Sequence, residues 1–197
     1  MAEKRGTVLR ALSGAVALLV GRKPAADAFD FSFEGFWRSF GAVVLVLPSL
    51  AVSLMAEAQF VAAAEPGDGG ATLLQMAFAR GTGLLGEWAA LPVVLAFLAR
   101  PLGLTARYVP FIVVRNWSSV VAAAIYAFPA LLFAAGIIGA DALLLTSLVA
   151  LAVVVQYQYR VVRAVLATPL GLSVGVVALD FVLSLFVAEV TARMFGT

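Results

Sequence analysis

Residues 169–195 read PLGLSVGVVALDFVLSLFVAEVTARMF. From Pro169 to Ala188 a single charge, Asp180, interrupts a run of apolar and small residues. The run is long enough to cross a bilayer, whose hydrocarbon core needs roughly 20 residues of helix. A carboxylate in such a run is costly unless it is buried against a partner. This stretch therefore predicts a helical membrane bundle and directs attention to its interior.

The rest of the 197-residue chain agrees. Hydrophobic residues make up 63% and charged residues 12%, against roughly 45–50% and about 25% in soluble domains. Mean hydropathy is +1.07. The net charge of +2 is small, and the arginines flank apolar runs instead of forming the basic stripe of a nucleic-acid binder. Cysteine and histidine are both absent. That removes disulfides, thiol nucleophiles, zinc–thiolate sites, histidine-ligated haem and the usual general base. We expect no catalytic residue, no metal and no cofactor; carboxylates, arginines, amides and shape are what remain for function.

The spans are read from where charge stops and starts. Residues 40–63 form the first, broken only by Pro48 and Glu57. The acidic, glycine-rich turn at 65–70 leads to a stretch from 71 to 99, longer than the hydrocarbon requires, of which 79–99 is assigned as span two, with Arg80 marking its outer end. Residues 101–115 carry Pro101, Arg107, Tyr108 and Pro110 and are placed at the interface. Span three is 117–139, with Asn116 as its cap and Trp117 in the aromatic belt. Span four is 142–158, its polar end Gln156-Tyr157-Gln158-Tyr159-Arg160 leaving the lipid, and span five is 170–195.

Lys4, Arg5, Arg10, Arg22, Lys23, Arg38, Arg100, Arg107, Arg115, Arg160 and Arg163 fall on one side of this layout, and only Arg80 and Arg193 on the other. The excess of basic residues predicts a cytoplasmic N-terminus and, after five spans, an outward C-terminus, periplasmic in a bacterial inner membrane.

Residues 1–39 form a separate cytoplasmic, amphipathic segment ahead of the membrane domain at 40–197. The apolar run at 8–20 is too short to span. A signal peptide is opposed by Arg22 and Lys23, which stand between that run and the cleavage-like Ala26-Asp27-Ala28. We expect a helix lying in or under the cytoplasmic interface, the alternative being packing against the bundle. The aromatics alternating with polar residues from Phe29 to Phe40 suit lipid headgroups.

Gly81-Thr82-Gly83-Leu84-Leu85-Gly86 matches a dinucleotide-binding fingerprint in letters, but that fingerprint needs a strand before it. Inside a membrane helix the glycines are read as close-packing positions. Gly171 and Gly175 form a Gly-xxx-Gly pair on span five, a helix contact or a dimer seam, with packing inside the chain the favoured reading. Asn116-Trp117-Ser118 fits the glycosylation pattern on the wrong side of the membrane.

The candidate functional set is the intramembrane polar network Glu57, Arg80, Glu87, Asp180, Glu189 and Arg193. In an antiparallel hairpin Glu57 and Glu87 come close in depth, and Arg80 shares a helix face with Glu87, so Arg80 can serve either carboxylate. Glu189 and Arg193 are an i, i+4 pair. Asp180 lies deeper, and its possible partners Arg115, Asn116, Gln156 and Arg160 are placed toward the cytoplasmic side, none at its depth. The network is either a set of paired charges fixing helix register or an outward-facing cavity with a proton relay ending near Asp180.

Five spans, an aromatic stretch before the first, short outer turns and an outward C-terminus resemble the Yip family of five-span membrane proteins and its bacterial relatives over residues 37–197. The Asp-Leu-Tyr-Gly-Pro motif of the eukaryotic members is absent, and no site residue is carried over. The resemblance implies trafficking partners for those members; the alanine-, valine- and arginine-rich composition here reads as bacterial. The expectation is an all-α polytopic integral membrane helical bundle of five transmembrane helices plus an N-terminal interfacial helix. It acts as a scaffold or accessory subunit, without catalysis, that contacts the lipid bilayer and another membrane protein or itself. The alternative is a small-solute or ion transporter or channel using the embedded carboxylates.

Overall fold

A computed structural model of the chain describes residues 2–24, 27–64 and 72–196. Its helices are α1 (Ala2–Leu19), α2 (Phe33–Phe40), α3 (Val43–Ala64), α4 (Leu73–Leu98), α5 (Thr105–Ala134), α6 (Ala140–Leu166) and α7 (Leu170–Phe195), and no strand occurs among the described residues. Five stretches are long and apolar enough to cross a membrane, α2 and α3 together forming the first. The acidic turn at 65–70 with Glu65 and Asp68, Ala26, and the side chains of Lys4 and Arg5 lie outside the described residues.

Local sequence explains where helices begin. Ser32 caps α2, its hydroxyl accepting from the Gly35 amide at 3.0 Å. Asp30 in turn accepts from the Ser32 amide. Its hydrogen bonds from Ser32, with the charge of Arg38 nearby, hold the Asp30 carboxyl below its ordinary value. Thr72 and Gln75 form a reciprocal capping box at the start of α4. Pro169 precedes α7, where its missing amide costs nothing.

The long helices assemble as two units. α3, α5 and α6 pack as a group with α5 at its centre, while α4 and α7 form a pair joined to that group through α3, α5 and α6. Every residue of α5 from Phe111 to Ser118 is buried, so all faces of that helix are covered. The outward faces carry exposed side chains such as Leu144, Leu148, Leu185 and Phe186, the surface left for lipid.

Several span boundaries differ from the sequence expectation. Span three does not start at 117: α5 is already helical at Thr105. Pro110 lies near the helix start, where a missing amide removes little of the ladder. Asn116 is therefore not a cap but wholly buried, its Nδ2 donating to Ser39 Oγ at 3.0 Å. Trp117 is buried and not in a belt. α6 likewise continues past 158 to Leu166. Its polar stretch stays helical because Tyr157 is buried and donates to the Ala15 carbonyl at 2.8 Å, and Arg160 donates to the Leu19 carbonyl. Span five is as expected, and span two begins at Leu73, with the whole stretch from its cap helical.

Those two bonds also place α1. They are about one turn apart on both helices, so α1 runs alongside α6 and is packed against α5 and α6. This is the alternative to a helix lying free in the interface. Ala11, Ala15 and Leu18 face the bundle, and Leu9, Val16 and Val20 face away from it.

Candidate functional site

The costly carboxylate of α7 has a cation beside it. Arg115 Nη2 donates to Asp180 Oδ1 at 2.9 Å, with the two side chains 7% and 19% exposed. Each residue lies about ten residues, roughly 15 Å of rise, from the first residue of its helix, so α5 and α7 bring them to one height. Of the possible partners named from the sequence, Arg115 does lie at the depth of Asp180, because it belongs inside a span and not to the interface.

The pair is incompletely satisfied. Arg115 Nε and Nη1 are buried without a hydrogen-bond partner among the described residues. Ser119 and Ser184, one turn beyond each partner, bond back to the carbonyls of Arg115 and Asp180. A cavity of about 200 Å³ lies against the pair, walled by all five spans and including Glu87, Ser119, Tyr126, Gln158 and Ser184. Glu87 sits about as far from the last residue of α4 as Asp180 sits from the first of α7, which puts both carboxylates in the middle of the bundle.

The remaining network residues separate by position. Arg80 grips Glu57 with two bonds, Nε to Oε2 at 2.9 Å and Nη2 to Oε1 at 2.7 Å, which ties α4 to α3. Glu87 takes no hydrogen bond from Arg80, so these three do not form one bonded network. Glu189 and Arg193 pair on the surface of α7, Nε to Oε1 at 2.6 Å, an exposed pair worth about 0–1 kcal/mol. A second cavity, of about 500 Å³, lies between α3, α4 and α7 and is lined by Glu57, Arg80, Glu189 and Glu87. Glu87 and Leu84 are in the walls of both cavities.

The two glycine motifs behave differently. A Cβ at Gly83 would touch Thr191, and one at Gly86 would come within 2.8 Å of Val187 Cγ1, so both let α4 lie close to α7. Gly171 and Gly175 have nothing within 4 Å of such an atom. Packing inside the chain, the favoured reading of that pair, is not found among the described residues.

The sequence reading named Arg115 as a possible partner of Asp180 but placed it at the interface and outside the network, and it missed Ser119, Tyr126, Gln158 and Ser184. The available signal was that Arg115 stands between the apolar residues 111–114 and a stretch, 116–140, that carries no charge. No family model matches the chain, and neither a curated protein nor a solved structure is found similar to it.

Proposed function

We propose that the chain is a non-catalytic, multi-pass protein of a bacterial inner membrane, a Yip-like five-span protein that carries an ion or small solute through embedded carboxylates. The observation that supports this reading is the position of Glu87 between the cavity beside Arg80 and the cavity beside Asp180. The central group holds two carboxylates and one guanidinium, an excess of one negative charge when all are ionised. A buried excess of that kind calls for a proton or a bound cation. Glu87 is the loading group, Arg115 and Asp180 hold the site together, and the Arg80–Glu57 pair stands at its mouth.

Proteoliposomes containing a pH-sensitive dye test this under an imposed sodium or potassium gradient. Wild-type protein is expected to move protons or the imposed cation. Glu87→Gln is expected to reduce flux to that of empty liposomes, whereas Glu57→Gln keeps most of it, since an amide retains a hydrogen bond to Arg80. Flux in Glu87→Gln equal to wild type, or none in wild type, would refute the proposal.

The orientation is part of it. The basic end of the bundle, with Arg22, Lys23, Arg38, Arg100, Arg107, Arg160 and Arg163, is cytoplasmic by the positive-inside rule. Arg115 no longer counts in that sum. Reporter fusions after Lys23, Leu104 and Arg163 should read as cytoplasmic, and those after Asp68, Asp141 and Thr197 as periplasmic. A periplasmic reading at Lys23 reverses the orientation.

A second reading, an accessory subunit that binds another membrane protein or a copy of itself, is favoured by the open face of α7 at Gly171 and Gly175. Its mark is that isoleucine at both positions changes the mass of the detergent-solubilised particle and leaves flux intact.

A further inference from the structure

A third cavity lies at the basic end, and its walls carry one sign of charge. It measures about 870 Å³ and is lined by Arg22, Lys23, Arg107, Arg160 and Arg163, with no acidic residue among the described lining residues. The local fold brings these five together. At the end of α1, Gly21 takes a left-handed conformation, φ +73, that a side chain disfavours. The Arg22 amide returns to the Ala17 carbonyl at 2.8 Å, closing the helix and turning Arg22 and Lys23 toward α5 and α6. Arg107 donates to the Val165 carbonyl at 2.9 Å, Arg160 to that of Leu19 and Arg163 to that of Thr168.

Counter-charge for the five is scarce. The acids of the neighbouring segment are already engaged, Asp27 by Arg10 and Asp30 and Glu34 by Arg38. Among the described residues no carboxylate forms an ion pair with any of the five. The carboxyl ends of α1 and α6 offer roughly −0.5 charge each, well short of five cations. Phe29, Phe31 and Val114 supply an apolar wall beside the charges.

We propose that this cavity binds a phosphate-containing anion bearing more than one negative charge, either the headgroup of an anionic phospholipid or a soluble phosphate compound. Multiple cations match multiple phosphate oxygens, and basic pockets between helices at this end of a bundle are suited to phosphorylated headgroups. The apolar wall gives a place for the glycerol and upper acyl chain of a lipid.

The test uses the full chain, with two probes that distinguish the sources. In one arm it is held in phosphatidylcholine nanodiscs with and without cardiolipin, and bound lipid is measured after delipidation and reloading. In the other it is held in neutral detergent and titrated with inorganic pyrophosphate by calorimetry. Saturable binding in either arm supports the site and names the source. In the binding arm, Arg22→Gln or Lys23→Gln should each weaken binding roughly fivefold, and the double variant about twenty- to thirtyfold. Neither Arg22 nor Lys23 makes an ion pair or side-chain hydrogen bond among the described residues, so both variants keep the fold. Arg100→Gln, a cation at the same end outside the cavity, should change nothing. Absence of binding in both arms, or equal binding by wild type and by both single variants, would overturn the proposal.

Discussion

Replacing Arg115 with leucine is expected to cost about 3–5 kcal/mol of stability, because it leaves the Asp180 carboxylate buried without its cation. Asp180→Leu is expected to cost a similar amount by stranding the guanidinium, whose Nε and Nη1 already lack partners among the described residues. Replacing both together removes two desolvation penalties as well as one attraction. The double variant should therefore recover most of the loss. Reversible unfolding in mixed detergent micelles measures all three. Single variants that each cost under about 1 kcal/mol would mean that the pair is not embedded, since exposed pairs are worth that little. The double variant should fold and yet carry no ion if the pair holds the central site in shape, which separates its structural role from its transport role.

The second large effect is expected at Gly86. A leucine there must displace Val187, whose Cγ1 lies 2.8 Å from where the new Cβ would be, and the branched valine has little room to yield. Overpacking of this kind costs about 1–3 kcal/mol. Removing a glycine from a helix returns up to about 1 kcal/mol, so the net remains destabilising, and α4 and α7 are forced apart. Gly81 is the control on the same helix. Nothing stands within 4 Å of a Cβ at that position, so Gly81→Leu should be neutral or slightly stabilising. Melting temperatures of the two variants check the difference, and equal values would show that α4 and α7 do not approach as described.

That contrast also shows what could be read from the chain alone. Gly83 and Gly86, like Gly171 and Gly175, are glycines in an apolar helix, and spacing does not say which face meets a neighbour. The first two meet α7; the second two meet no other element among the described residues. The boundaries of α7 were legible because charge and proline bracket an apolar run. The Arg80–Glu57 pair was legible in part, because a hairpin fixes which residues share a depth. Arg115 was misplaced because Pro110 and its polar neighbours look like an interface, although a proline near a helix start breaks little. The end of α6 was misplaced for a different reason. Tyr157 and Arg160 read as polar residues leaving the lipid, but their donors are satisfied by carbonyls of α1, far away in sequence. Local pattern cannot report such a partner.

The α4/α7 pair is fastened to α3 and α5 at three heights. Arg80 holds Glu57 at one end, Arg115 holds Asp180 in the middle, and the Tyr108 hydroxyl donates to the Pro92 carbonyl at 2.9 Å toward the basic end. A rod pinned at three points can neither tilt nor slide while all three hold. If Asp180 is neutralised, the middle pin weakens and the two end pins remain. A rod pinned only at its ends still cannot swing open, but it can roll about the line that joins them. Rolling would turn the face of α4 that carries Glu87, which lines both cavities, with respect to Arg115.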